Sequence, residues 1–177
     1  MENYGFLGEG IGNRFSTKEG RAENMAPNAY SIYDIAEWFL HKRAMPQKKL
    51  QKLCYYAVAW CYALCNADLV YDTTFEAWVH GPASQELYNI YKDRAWEQLA
   101  PIKELPPIDE TITDLLESVW ETYGNLSGNA LEALTHTELP WQKARAGLGS
   151  TEPSRNVIDK KDMRDYYLSI YDRGAEA

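Results

Sequence analysis

The chain has 177 residues, a length that suits one domain with an additional segment better than two full domains. A formal charge of −8 argues against free nucleic acid as a partner, because phosphate neutralisation supplies most of that affinity. No stretch approaches the ~20 apolar residues that a membrane span requires. Six Trp and thirteen Tyr are many for this length, and each ring can bury on the order of 150–250 Å², in a core or at an interface hot spot.

Residues 1–29 are glycine-rich with mixed charges and little periodicity, which predicts a flexible N-terminal arm. Phe6, Leu7, Ile11 and Phe15 leave open whether that arm docks on something. "MENYGFLGEGIGNRF" has no basic start followed by an apolar run, so it is not read as a secretion signal. At Ser31 a helix is expected, with Ser31 as its cap and Ile32, Ile35, Ala36 and Phe39 at helical spacing. Pro46 fits the first turn of a second helix, whose inner stripe is Leu50, Leu53, Cys54, Ala57, Cys61 and Leu64. That helix, the longest and most apolar, is expected at the centre of the core. It also carries all three cysteines, an odd number that suits buried thiols in a reducing cytosol rather than a disulfide framework.

"ADLVYDTTFEAWVHGPAS" breaks the helical period and reads as a short hairpin around Asp72 and Thr73, ended by Gly81–Pro82. A helix capped by Ser84 follows. The proline-rich "LAPIKELPPIDE" is a surface connector. An amphipathic helix then carries Ile112, Leu115, Leu116 and Val119 inward and stops at Gly124. A short helix capped by Ser127 ends at Thr135 and His136, where Pro140 starts a turn and Trp141 drops a ring between the two segments. Lys143 and Arg145 are expected to face water. A loop leads to a last helix over "DKKDMRDYYLSIY" and a tail at 173–177. The fold class is therefore mainly α: a compact bundle of about six helices with one short β-hairpin.

Catalytic patterns were weighed against this frame. "HTE" at 136–138 echoes the H-x-E of zinc deaminases, but those enzymes place a C-x-x-C downstream, and here the cysteines lie upstream at spacings of seven and four. There is no G-x-S-x-G elbow for a serine nucleophile beside His41, His80 or His136. "GEGIGNRF" at 8–15 is not continued by G-K-[ST], so it is no phosphate loop. No catalytic, cofactor-binding or metal-binding residue is expected. Charge is more informative. From Glu104 through Gln142 there are eight acidic residues and no Lys or Arg, whereas Lys42, Arg43, Lys48, Lys49 and Lys52 crowd the end of the first helix and the start of the second. Lysines at a helix N-terminus are unfavourable by ~0.3–1 kcal/mol each when exposed. An anion should therefore answer them, either the domain's own acidic strip or a partner's acidic surface or phosphate.

"YDIAEWFL", "KLQKLCYYAVAW", "FEAWVHGPASQELY" and "LTHTELPWQKAR" occur in the order and spacing of the Panacea domain, the SocA-like or GepA-like antitoxin domain, which the chain resembles over residues 30–172. Lys49 to Leu53 match K-L-Q-K-L; Trp78, Gly81 and Pro82 match A-W-x-x-G-P; Thr135, His136, Pro140 and Trp141 match T-H…P-W. Met45–Pro46 stands where the family often has a Thr cap. The resemblance implies an antitoxin of a type II-like toxin–antitoxin system, frequent in phages and prophages, that neutralises a cognate protein toxin by direct contact without catalysis. Toxins paired with the family include relatives of alarmone synthetases. One branch resembles a proteolytic adaptor that delivers its toxin to an AAA+ protease. An enzyme reversing the toxin's covalent product, with His136 or His80 as base, is the other alternative. A cytoplasmic location follows. The partner surface is expected on Lys48, Lys49 and Lys52, on an exposed Tyr56 of the second helix, on Trp78 and His80 of the hairpin, and on Trp141.

Overall fold

The computed structural model describes residues 29–175. Up to residue 28 the expected arm, with Phe6, Leu7, Ile11 and Phe15, lies outside the described residues, as do residues 176–177 of the expected tail. Helix α1 (Ile32–Lys42) opens at Ser31, whose hydroxyl accepts the Tyr33 N–H at 3.2 Å. Asp72 reinforces this start from a distant loop, accepting the Ile32 N–H at 2.8 Å and the Ser31 hydroxyl at 2.6 Å. A carboxylate there satisfies an orphan donor and complements the positive end of the helix dipole. Asp72 was expected in the hairpin; it serves as a remote cap instead.

Helix α2 (Gln47–Cys65) begins after Pro46 and ends at Asn66, which adopts the left-handed conformation (φ 50°) common at helix C-termini. Every residue from Lys49 to Ala63 is buried. The expected single inner stripe is thus too narrow: of its members only Leu64 is partly exposed, and the opposite face is covered as well. Around α2 pack the hairpin strands β1 (Glu76–Trp78) and β2 (Gly81–Ala83), helix α3 (Gln85–Tyr91), helix α4 (Glu110–Tyr123), helix α5 (Gly128–His136) and helix α7 (Lys160–Ala175), with α7 in the most extensive contact. Between α5 and α7 lies α6 (Leu139–Ala144), a seventh α-helix where only a turn was expected. Pro140 in its first turn has its φ preset and lacks an N–H that would be unsatisfied there anyway. Ser84, Asp109 and Ser127 cap α3, α4 and α5 through bonds to the N–H of Leu87, Ile112 and Ala130.

The surplus of aromatics goes to the core. Tyr56 lies stacked on Tyr123 with ring centroids 3.9 Å apart and planes 9° from parallel. Trp60 donates its indole N–H to Tyr123 Oη at 3.1 Å. Tyr55 and Tyr167 meet these rings edge-on. Tyr167 and Tyr56 both donate to the buried carboxyl of Glu138, at 2.7 Å and 3.2 Å. Tyr56 is therefore fully buried, which corrects the expectation that it is exposed; as a phenol it can sink into a core because a buried carboxyl oxygen accepts its hydroxyl.

The hairpin also differs from expectation. Its strands pair antiparallel with Glu76 opposite Ala83 and Trp78 opposite Gly81, so Gly81–Pro82 forms the second strand rather than ending the element. Val79 and His80 make the turn, and Gly81 at φ +93° completes it in a conformation that L side chains rarely adopt.

Candidate functional site

The side chains of α2, α5 and α6 converge on the hairpin and hold it from every side. Gln51 acts as a third strand: its amide nitrogen donates to Ser84 O at 2.9 Å and its amide oxygen accepts the Ser84 N–H at 2.8 Å. Lys52 donates to Pro82 O at 3.0 Å. A Cβ on Gly81 would lie 2.6 Å from Lys52 Cε and 2.8 Å from Thr135 Oγ1, so the strand backbone sits directly on those two side chains. On the opposite edge Ala77 donates its N–H to Asn156 O at 2.8 Å, and its carbonyl accepts Arg145 Nη1 at 2.9 Å. Trp78 O accepts the Trp141 indole N–H at 3.0 Å. Both edges of this two-stranded sheet are thereby closed.

Arg145, expected to face water, is buried. Its Nη2 donates to the carbonyls of both Gly149 and Glu152 at 3.0 and 2.7 Å, and its guanidinium lies over the Trp141 ring. The planar fork suits this because it reaches three carbonyls at once. Trp141 in turn stacks on His136 at 4.1 Å, so its ring fills the gap between α5 and α6 as expected.

The basic turn is answered from within. Lys48 pairs with Glu132 and donates to Asn129, Lys42 pairs with Glu117, and Lys49 donates to Gly124 O at 2.6 Å, at the negative end of α4. Of the two anions expected, the structure supplies the domain's own acidic strip. Lys49 and Lys52 are buried and Lys48 is partly exposed. Burial lowers the ammonium of Lys52 to about 7, a change that Glu132 opposes and Lys48 assists; burial likewise lowers Lys49.

The hairpin turn itself is outward. His80 Nδ1 bonds Glu132 Oε1 at 2.9 Å. Burial pulls the Glu132 carboxyl upward, but the bonds from Lys48 and His80 outweigh it and hold it below the ordinary range. Trp78 meets Tyr88 edge-on at 5.3 Å and donates to Glu76 at 2.7 Å. Beside them opens a shallow groove of about 380 Å³ lined by Trp78, Val79, His80, Gln85 and the Pro153–Arg155 segment. Arg155, at its rim, pairs with Glu76. Gln85, Tyr88 and Arg155 carried no mark in the sequence, because nothing in the local pattern brings residues 85–88 and 153–155 to one strand end.

Residues 50–142 match the family described as "Antitoxin SocA-like, Panacea domain". The chain belongs to this family. No curated protein and no solved structure matches the chain significantly. Membership supports an antitoxin role in general, and the geometry explains what the signatures of the Panacea domain do in this chain. Gln51 and Lys52 of the K-L-Q-K-L stretch, Gly81 and Pro82 of the hairpin, and Thr135 and the half-buried Trp141 of the T-H…P-W stretch form one interlocked set that fixes the hairpin against α2. Trp78 and His80 are the members of the expected surface that reach the groove, with Lys48 beside them through Glu132.

Chemistry in the Panacea domain is correspondingly inward. His136 Nε2 is buried without a hydrogen-bond partner among the described residues, and burial lowers its imidazole below the ordinary value. Glu138 is pushed up to about 8 by burial, against the pull of Tyr167 and Tyr56. His41 bonds Lys103 O. Cys54 and Cys61 are buried free thiols and Cys65 is partly so. Among the described residues no group of three or more His, Cys, Asp and Glu side chains is placed to hold a metal, and no helix is long and apolar enough to cross a membrane.

Proposed function

We propose that the chain is an antitoxin that neutralises a cognate protein toxin by direct contact, and that the contact is made by the face carrying the hairpin turn. The observation that supports this most is the use of the family's signature residues. Gln51, Lys52 and Trp141 of those signatures, together with Arg145, close both edges of the hairpin and leave its tip, with Trp78 and His80, as an outward aromatic surface beside a groove. A ring such as Trp78, half-buried and held in one orientation by Glu76 and Tyr88, serves as an interface anchor because little side-chain entropy is lost when it is covered. A non-enzymatic role fits the inward-facing Nε2 of His136 and the burial of Glu138 among tyrosines, which keep both from meeting a substrate. The residues proposed to meet the toxin are Trp78 and His80, with Lys48 and Trp141 at their edges. Lys52 supports this surface from beneath through Pro82 O, whereas Tyr56 and Lys49 pack in the core and against the end of α4.

Co-expression with the product of the adjacent open reading frame tests the reading. Growth should be restored, a stable complex of fixed stoichiometry should be recovered, and protection should follow the molar ratio of the two proteins. Protection by a small fraction of an equivalent would show turnover and replace this reading with an enzymatic one. Disappearance of the toxin only in cells with an active AAA+ protease would replace it with an adaptor.

A further inference from the structure

We infer that the groove beside the hairpin turn recognises a short acidic segment of its protein partner: a large apolar side chain flanked by a carboxylate. The inference rests on the reading above that the chain acts by binding a protein, and it adds the chemistry of what is gripped. The charges around this groove are layered. Glu76 and Glu132 lie low, with side chains 13% and 19% exposed, while Arg155 and His80 lie above them at 69% and 75%. Arg155 uses Nε and Nη2 on Glu76, which leaves Nη1 for an outside acceptor. His80 uses Nδ1 on Glu132, which leaves Nε2. Glu76 is further covered by the Trp78 indole N–H, and Glu132 by Lys48. Glu76 and Glu132 are thus each answered from above and the rim presents N–H donors, with the exposed Glu86 acting on Arg155 from one side, in a chain whose net charge is −8.

Between those donors the lining is apolar: the ring of Trp78, the side chain of Val79 and Pro153. Exposed ion pairs contribute little alone, so affinity must come from covering that lining, and the donors select what accompanies the covering group. A lone small anion would gain only the weak part. Strand addition is closed to the partner as well, because the hairpin edges already bond Gln51, Lys52, Asn156 and Arg145. What remains is a side chain seated in the groove with an Asp or Glu next to it reaching Arg155 or His80.

The test is a random peptide display library panned against the purified full chain, followed by affinity measurements on the enriched peptides. Enriched sequences should place Asp or Glu beside Leu, Ile, Phe or Trp. Arg155→Glu should weaken them at least tenfold and shift preference toward versions with Lys in place of the acid, while Lys161→Glu, on α7, leaves them unchanged. Trp78→Ala should weaken both kinds of peptide, and circular dichroism of each variant checks that the fold persists. Enrichment without acidic bias, affinity unchanged by Arg155→Glu, or tighter binding of a single-stranded oligonucleotide lost in the same variant would each overturn the inference. The antitoxin reading fails separately, in the co-expression experiment with the unaltered chain.

Discussion

Gly81 joins two constraints that no other described glycine meets at once. Its φ of +93° is strained for any L side chain, and the space where a Cβ would stand is held by Lys52 and Thr135. Lys52 cannot swing aside without giving up Pro82 O and stranding a buried amine. Gly81→Ala should therefore cost at least about 2 kcal/mol, read as a lower urea midpoint at unchanged slope. An alanine variant as stable as the parent would mean that the hairpin does not press on α2 as described. The glycine was legible in the sequence as a turn residue. Its close approach to a lysine twenty-nine positions earlier was not, because it depends on how two elements pack.

At the scale of elements, the hairpin is too short to stand alone, since an isolated two-stranded hairpin is marginal in water. Its order is borrowed from α2 through the Gln51 amide. Gln51→Ala would leave the Ser84 N–H buried and unpaired, while Ser84 O keeps the Tyr88 N–H, at a cost of roughly 1–3 kcal/mol. Amide hydrogen exchange should show faster exchange at Ser84 and through residues 76–83, with the middle of α2 still protected; uniform loosening of the whole domain would contradict a local clasp. The helices were easier to read in the sequence than this element. Ser31, Ser84 and Ser127 announce their caps locally, whereas the hairpin lies four residues beyond the β-branched cluster that pointed to it. Gly81–Pro82 looked like a terminator because the side chains that hold it, Lys52 and Thr135, are remote in the chain.

For the molecule as a whole, burying Glu138 and Lys52 makes stability depend on pH in two opposed ways. Glu138 is raised from 4.5 to about 8, so the folded state keeps a proton that the unfolded chain releases; that contribution is complete below 4.5 and is lost as pH rises through 8. Lys52 is lowered from 10.5 to about 7, so its contribution is complete above 10.5 and is lost as pH falls through 7. Between pH 5 and 7 the larger Glu138 effect makes stability decline as pH rises, opposed by the buried imidazole of His136, which is held below its ordinary value. Glu138→Gln should flatten that decline in urea titrations across this range. A decline as steep in the variant as in the parent would place the responsible proton elsewhere.

Periodicity, caps and composition determined by themselves that the chain is mainly helical, that α2 is its centre, and that a single β element interrupts the helices. Those features follow from interactions within a few residues, which is what a local pattern records. The four separated motifs likewise pointed to the Panacea domain before any coordinate was known. Only the tertiary structure decided that Tyr56, Lys49, Lys52 and Arg145 are inside, that the basic turn meets the domain's own Glu117 and Glu132, and that Trp78, His80 and Arg155 share one groove. A polar side chain can be buried when a matching group arrives from elsewhere in the chain, and that arrival is a property of packing.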